Sequence, residues 1–244
     1  MRADIYIGAA GADNILELYQ DTGKIIKTKE KGNRTMALKE NVGAFAVKQA
    51  LSYMDKDPEK NLPKLLDWFD KLDRKDTLKT QREVVRKVVM DKDNNWHQLM
   101  MSLWTDIDPG VRNRIFENFV INGALLGSQK QEENRKKYNC NIPWAILLDP
   151  TSACNLKCTG CWAAEYGNHM NLTYEEMDDI VTQGVELGTY IYLFTGGEPL
   201  VRKKDIIRLC EAHSDCVFST FTNGTLIDEE FADEILRVKN FMPA

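Results

Sequence analysis

Three cysteines of this chain lie close enough in the sequence to act as one set of ligands. Cys154, Cys158 and Cys161 are spaced as C-x3-C-x2-C. Thiolates this close together cannot serve as disulfides between distant parts of a fold, so we expect their sulfurs to face one point. Soft sulfur ligands of this kind select zinc, copper(I) or an iron–sulfur cluster. Because there are three thiolates rather than four, one metal position stays open for chemistry.

A second motif, Thr195-Gly-Gly-Glu-Pro199, follows an apolar run at residues 190–194. Two successive glycines let the backbone approach a ligand closely. Glu198 supplies an anionic acceptor for a cationic group, and Pro199 fixes the exit into the next segment. Thr222 and Asn223 follow a later apolar run in the same way. Residues that could take part in binding or catalysis therefore recur where apolar runs end.

Three alternations of strand and helix are predicted to position these groups. Strands are predicted at residues 144–148, 190–194 and 217–221, and helices from Thr173 to about Gly188, at 204–213 and at 228–238. The first strand is a continuous apolar run, which is typical of a strand buried on both faces. Successive βα units predict a parallel sheet. The carboxyl ends of its strands share one rim, where the polar groups should meet.

The chain divides by pattern into three parts. Residues 1–35 predict an uncertain arm or small hairpin, residues 36–140 a helical N-terminal domain, and residues 141–244 an α/β core. Within the helical part, Asp108-Pro109 is typical of a helix start. Residues 240–244 resemble the start of a fourth strand. An exposed sheet edge there predicts that the chain is a fragment of a longer protein.

Composition excludes several classes of function. The chain has 244 residues and a net charge of −5, which does not favour a nucleic-acid-binding surface. The sequence contains no apolar run of about 18 residues, so no membrane-spanning helix is predicted. No basic segment followed by a long apolar one marks a secretory signal, so we expect a cytoplasmic protein. The remaining cysteines, Cys140, Cys210 and Cys216, are expected to be ordinary packed thiols.

The cysteine spacing and the Gly-Gly-Glu-Pro turn, in this order and in a βα context, resemble the radical S-adenosylmethionine (SAM) enzymes. The resemblance covers residues 142–244. It implies an α/β fold made of the first three βα units of a partial (β/α)6 barrel, incomplete at its carboxyl terminus. A mainly α-helical N-terminal domain precedes this core.

The resemblance also implies cofactors and roles for individual residues. Cys154, Cys158 and Cys161 would ligate three irons of a [4Fe–4S] cluster, and SAM would chelate the fourth iron through its amino and carboxylate groups. The residues implied in SAM binding are Gly196, Gly197 and Glu198 at the ammonium, with Trp162, Thr222 and Asn223 as further candidate contacts. Gly160 stands where the family often has an aromatic residue, and Trp162 lies just after the third cysteine.

The implied activity is reductive cleavage of SAM to methionine and a 5′-deoxyadenosyl radical, which abstracts hydrogen from an unidentified substrate. An electron donor such as flavodoxin or ferredoxin would reduce the cluster. Two alternatives stay open. The first is a structural zinc module acting in protein interaction, with His169 completing a Cys3His site. The second is a non-catalytic fragment, because half of the barrel would be absent.

Overall fold

The computed structural model of the chain describes residues 45–72, 79–161, 163 and 167–244. The predicted arm or hairpin at residues 1–35 lies outside this part, and so does Trp162. The chain divides into two compact units, which meet in the sequence between Asp106 and Ile107. Among the described residues, no helix has the length and apolarity needed to cross a bilayer.

The first unit is helical over its described residues. Its helices are α1 (45–54), α2 (Pro58–Leu72), α3 (Lys79–Met90) and α4 (Asn95–Thr105). Ion pairs join α2 and α3, with Arg86 between Asp67 at 2.7 Å and Asp70 at 2.5 Å. His97 is buried, and its Nδ1 lies 3.2 Å from the Val88 carbonyl oxygen. The helical prediction for this region is confirmed where the structure describes it.

The second unit opens with a long interrupted helix. It consists of α5 (Pro109–Glu117), a π-helix (Asn118–Gly127) and α6 (Ser128–Tyr138). Asp108 caps α5 as predicted, since its Oδ1 accepts hydrogen bonds from the amides of Gly110 and Val111. The π-helical stretch was not predicted. Its period differs from that of an α-helix, and the sequence pattern carries no separate signal for it.

Four side-chain amides on this helix bind the turns that precede two strands. We call Asn118, Asn122, Gln131 and Asn134 the amide clamp. Asn118 Nδ2 donates to the carbonyls of Ser214 and Cys216, at 3.0 and 2.8 Å. Gln131 Nε2 donates to the Gly188 carbonyl at 2.8 Å. Residues 107–138 therefore lie in the unit that contains the sheet, whereas the sequence placed them in the helical N-terminal domain.

The sheet has four parallel strands in the order β1-β2-β3-β4. These are β1 (Ile146–Leu148), β2 (Ile191–Phe194), β3 (Val217–Thr220) and β4 (Phe241–Pro243). The connecting helices are α7 (Tyr174–Leu187), a 3-10 turn (Pro199–Arg202), α8 (Lys203–Ala212) and α9 (Glu229–Val238). The α/β class, the parallel pairing and the fourth strand are confirmed.

One face of this sheet forms the core. Tyr192, Phe194, Phe218 and Phe241 are fully buried there against side chains of α7, α8 and α9. The rings of Phe194 and Phe218 stack with their centroids 5.8 Å apart. Each such aromatic side chain buries a large apolar area, which makes this face the main source of stability for the sheet.

The opposite face of β1 corrects one prediction. Leu147 is 62% exposed, so this strand is not buried on both faces. Side chains alternate along a strand, and only the face that carries Leu148 meets the helices. In register with Leu147 lie Leu193, Ser219 and Met242, which share its face.

Candidate functional site

Three loops come together at the carboxyl end of the sheet. They are the cysteine loop (residues 149–161), the glycine turn (195–199) and the asparagine loop (221–227). The amide of Gly197 donates to the Thr151 carbonyl at 3.0 Å, and the amide of Glu198 donates to the Ala153 carbonyl at 2.8 Å. The predicted meeting of these groups on one rim is therefore present in the structure.

The two glycines allow this contact. A Cβ atom on Gly196 would lie 2.7 Å from the Thr151 oxygen, and one on Gly197 would lie 2.2 Å from the Ala153 oxygen. Gly196 also has a φ of +105°, a backbone conformation that disfavours other residues. The close approach expected of these glycines is made to the backbone of the cysteine loop.

Glu198 is the most enclosed charged side chain of this rim. It is 1% exposed, and its carboxylate accepts three hydrogen bonds from the chain. Oε1 accepts from the Leu200 amide at 2.9 Å and from the Thr222 hydroxyl at 2.7 Å, while Oε2 accepts from the Asn223 amide at 2.9 Å. A carboxylate has about four acceptor positions, so one remains on Oε2. Glu198 therefore joins the ends of β2 and β3.

The three cysteines are exposed free thiols on the same loop. The Leu156 amide donates to Cys154 Sγ at 3.4 Å, and the Cys161 amide donates to the Cys158 carbonyl at 3.3 Å. Among the described residues, no three His, Cys, Asp or Glu side chains are gathered closely enough to hold a metal ion. The loop supplies the donors, but their sulfurs do not converge in the structure, which differs from the expectation that they face one point.

A ring of side-chain hydrogen bonds joins the cysteine loop to the asparagine loop. Asn155 Nδ2 donates to Thr225 Oγ1 at 2.8 Å, Thr225 Oγ1 donates to Asn223 Oδ1 at 2.7 Å, and Asn223 Nδ2 donates to Asn155 Oδ1 at 2.9 Å. We call these three residues the amide ring. The sequence identified Asn223 but missed Asn155 and Thr225, whose types carry no signal without the fold.

A short return segment, residues 169–172, fixes the base of the cysteine loop. Ser152 donates its amide to the Met170 carbonyl, and Leu172 donates its amide to the Pro150 carbonyl. Arg202 then donates through Nη1 to the carbonyls of Leu172 at 2.6 Å and Pro150 at 3.3 Å. Arg202 was not predicted from the sequence. It lies at the end of the 3-10 turn that follows Glu198, and this position was the one available hint.

A pocket of about 470 Å³ lies beside the glycine turn. Its polar lining includes Asp149, Thr151, His169 and Asn171, together with Gly196 and Gly197. His169 thus lines the same pocket as the glycine turn, and the described lining contains none of the three cysteines. Burial raises the pKa of the Cys210 and Cys216 thiols far above their usual value, so these cysteines stay neutral and packed, as predicted. Cys140 is exposed, because it follows the last turn of α6 at the surface, so the prediction of a packed thiol is wrong for that residue.

Comparison with known proteins matches this part of the chain to one family. Residues 148–242 match the family model of the radical SAM superfamily, which confirms the resemblance seen in the motifs. That range contains the three cysteines, the glycine turn, the asparagine loop and β2 to β3. No solved structure is significantly similar to the chain.

Several relatives share this segment. An uncharacterized protein of Archaeoglobus fulgidus is 32% identical over 111 residues, which are 44% of this chain and 26% of the relative. Fe-coproporphyrin III synthase of Methanosarcina barkeri is 37% identical over 101 residues, 38% of this chain and 24% of the relative. GTP 3',8-cyclase of Peptoclostridium acidaminophilum is 38% identical over 92 residues, 34% of this chain and 28% of the relative. The matched segment therefore spans about a quarter of each relative, and relatives named for different reactions share it.

Proposed function

Because residues 148–242 match the family model of the radical SAM superfamily, whose members bind a [4Fe–4S] cluster and SAM, we propose that this chain holds both cofactors at the carboxyl end of its sheet. The observation that carries the proposal is the bonding of the cysteine loop to the glycine turn through Gly197 and Glu198. Two motifs far apart in the sequence thus form one rim.

The donor set fits such a cluster. Cys154, Cys158 and Cys161 are exposed and outside any disulfide on one loop, and thiolates are the ligands that iron–sulfur clusters use. Three ligands for four irons leave one iron for SAM. When bound, cluster and SAM together supply reductive cleavage of the sulfonium and, through it, hydrogen abstraction from a substrate.

The residues of the chain supply position and acceptors. Gly196, Gly197 and Glu198 would hold the SAM ammonium through backbone carbonyls and the remaining acceptor position on Glu198 Oε2. Glu198 is buried, and three hydrogen-bond donors hold its carboxylate in one conformation. Its negative charge therefore stays in one place when a ligand binds. Thr222 and Asn223 would act mainly by fixing this carboxylate. Trp162 remains the proposed neighbour of the adenine.

The full protein is proposed to complete what this segment begins. Further strands would close the sheet into the partial (β/α)6 barrel beyond β4, and the helical N-terminal residues would form a separate domain. An electron donor such as flavodoxin or ferredoxin would dock at the exposed cysteine loop in the cytoplasm. The substrate follows from parts of the protein outside the matched segment, since relatives that share the segment are named for different reactions.

Anaerobic reconstitution with iron and sulfide tests the cluster. We expect about four irons per chain, with charge-transfer absorption that dithionite bleaches. Cys158→Ala should lose this absorption, whereas Cys140→Ala, at an exposed cysteine outside the loop, should keep it. A colourless protein that takes up one zinc, or a Cys158→Ala variant that loads normally, would overturn the proposal.

SAM binding is tested on the reconstituted protein by electron paramagnetic resonance. Addition of SAM should change the spectrum of the reduced cluster if one iron is open to it. A reduced cluster whose spectrum ignores SAM would contradict the open-iron assignment while leaving cluster binding intact.

A further inference from the structure

The amide ring connects the residue after the first cysteine ligand to the asparagine loop. Asn155 directly follows Cys154 in the sequence, yet its side chain bonds to Thr225 and Asn223, which lie about seventy residues further along the chain. A contact this distant in sequence forms only in the folded unit. It lies one residue from a proposed cluster ligand, so it can fix where that ligand stands.

Donors and acceptors of the ring close on themselves. Each of the three side chains donates one hydrogen bond to the next and accepts one from the previous member, with lengths from 2.7 to 2.9 Å. Hydrogen bonds that follow one another in this way polarise and strengthen each other. The Thr225 amide also donates to Asn223 Oδ1 at 3.0 Å, which adds a second bond within the asparagine loop.

Glu198 anchors the ring to the rest of the rim. The Asn223 amide donates to Glu198 Oε2, and the hydroxyl of the preceding residue, Thr222, donates to Oε1. Hydrogen bonds to an ionised carboxylate are about twice as strong as those between neutral groups. The asparagine loop is therefore held by a buried charge at one side and holds the cysteine loop at the other.

At the cysteine loop the ring fixes a donor to sulfur. The Leu156 amide, one residue beyond Asn155, donates to Cys154 Sγ at 3.4 Å. Hydrogen bonds to ligating sulfurs help to set the reduction potential of an iron–sulfur cluster. Holding residue 155 in place holds this amide in place.

We propose that Asn155, Thr225 and Asn223 are positioning residues that hold Cys154 and its amide donor at the rim of the sheet, where the cluster would bind. Glu198 provides the fixed point of this arrangement. The inference rests on the proposed function for its cofactor, but the ring itself concerns side chains of the chain alone. It gives Asn155 and Thr225 a role that the motifs do not indicate.

Thr225 offers a matched pair of variants. Thr225→Val keeps the shape of the side chain and removes its hydroxyl, whereas Thr225→Ser keeps the hydroxyl. The residue is exposed, so neither change disturbs the core. Asn155→Ala breaks the ring from the cysteine loop. Lys157→Ala is the control in that loop, because Lys157 is exposed and the structure describes no hydrogen bond or ion pair for it.

Hydrogen exchange of the Leu156 amide in the full metal-free chain measures directly how firmly the ring holds this amide. For Thr225→Val and Asn155→Ala we expect the Leu156 amide to exchange about tenfold faster, the effect of losing one or two hydrogen bonds. Thr225→Ser and Lys157→Ala should exchange at the wild-type rate. Equal exchange in all variants would overturn the proposal.

Reconstituted protein provides the second readout. Thr225→Val and Asn155→Ala should release iron to a chelator about tenfold faster than wild type, at the low end of effects seen for groups that orient metal ligands. The reduction potential of the cluster should shift in these two variants. Thr225→Ser should keep the wild-type rate of iron release and the wild-type potential. If wild type itself takes up no iron, the proposed function fails. The hydrogen-exchange rates alone then decide whether the amide ring holds the Leu156 amide in place. Normal iron retention and potential in Thr225→Val would show that the ring does not position the ligand.

Discussion

The two ends of the sheet are held by different kinds of contact. At the amino end, one helix presents the amide clamp to the turns before β2 and β3, and its side chains donate to backbone carbonyls. At the carboxyl end, three loops bond to one another, and the cysteines among them remain exposed. Buried amides that satisfy carbonyls contribute stability. Exposed thiols on mutually supported loops are available to a ligand.

Cysteine itself shows the same contrast. Cys216 stands just before β3 at the amino end and is fully buried, and burial raises the pKa of its thiol. Cys154 follows β1 at the carboxyl end and is exposed. A buried neutral thiol behaves as a small apolar side chain, whereas an exposed one can ligate metal. Whether a cysteine packs in the core or is available to a metal thus depends on which end of a strand it lies at, rather than on residue type. The same holds in other parallel α/β folds, where ligands bind at the carboxyl ends of the strands.

The largest effect is expected from Gly197→Ala at the carboxyl end. Its Cβ would lie 2.2 Å from the Ala153 oxygen and 2.5 Å from the Ser152 oxygen, both backbone atoms, so the cysteine loop must move away from the turn. We expect a loss of roughly 3 kcal/mol in the stability of the sheet unit, in the range for overpacked sites. Iron uptake on reconstitution should fall with it. Hydrogen exchange of the β2 and β3 peptides measures the first quantity.

Gly160→Ala is the matched control within the cysteine loop. Its φ is +75°, but no atom lies within 4 Å of the added Cβ. Only the left-handed backbone conformation opposes the change, at about 1 kcal/mol. If Gly197→Ala proves as mild as Gly160→Ala, the close contact between the glycine turn and the cysteine loop is not needed for folding.

The next largest effect concerns Asn118 at the amino end. Its side chain is 1% exposed, and Asn118→Ala would remove the donor to the Ser214 carbonyl and leave the Cys216 carbonyl with the longer bond from Asn240 Nδ2 at 3.3 Å. Loss of a partner to buried polar groups costs about 1–3 kcal/mol each time it occurs, so we expect roughly 2 kcal/mol. Hydrogen exchange of the β3 peptide should quicken accordingly. Cluster content per folded chain should stay at the wild-type value, because the clamp lies at the other end of the strands.

Asn122→Ala provides a milder test on the same helix. Asn122 donates to the Asp215 carbonyl at 2.9 Å and is only partly buried, so water can replace it. A loss of about 1 kcal/mol is expected. A loss of iron binding in either clamp variant, without loss of stability, would contradict the division of labour between the two ends.

Much of this arrangement follows from the sequence. The Thr173 capping box and the Gly188 stop set both ends of α7, because the capping residues are local signals that the fold does not override. The parallel pairing of the strands and the shared rim follow from three βα units in a row. The motifs then place the cysteine loop, Gly197 and Glu198 on that rim.

What the sequence could not provide depends on contacts between distant segments. Asn155 and Thr225 are common polar residues whose partnership exists only once β1 and β3 are parallel neighbours of β2. Residues 107–138 have helical periodicity, which does not say against which unit the helix packs. The exposure of Leu147 was missed because an apolar run in a strand looks the same whether one face or both are covered.

Alkylation of thiols on the folded metal-free chain should separate the cysteines of the two ends. At pH 8 we expect iodoacetamide to modify Cys154, Cys158 and Cys161. Cys210 and Cys216 should not react, because burial both blocks the reagent and raises the pKa of these thiols. Mass spectrometry of tryptic peptides gives the extent at each site. Reaction of Cys216 before the chain unfolds would show that the amino end opens more readily than the packing implies.

The smallest expected effect is a pH dependence at the start of α7, where the return segment enters the helix. The Glu176 carboxylate accepts from the Thr173 amide at 2.7 Å and from its hydroxyl at 3.1 Å, and these bonds lower the pKa of Glu176 below its usual 4.5. A carboxyl whose pKa is lower in the folded chain stabilises the fold above its unfolded pKa and loses this contribution as pH falls through the folded value. Glu176→Gln should therefore be less stable than wild type at pH 7, and the gap should close below about pH 4.

Glu175→Gln is the control for this last prediction, since Glu175 lies on the same first turn and shares the favourable position near the helix start. Subtracting its effect removes the general benefit of an acidic residue there and leaves the part due to the capping box. Thermal unfolding of the metal-free chain between pH 3 and 7 measures both variants. A gap between Glu176→Gln and wild type that stays constant across this range would mean that the carboxylate charge does not contribute to the cap.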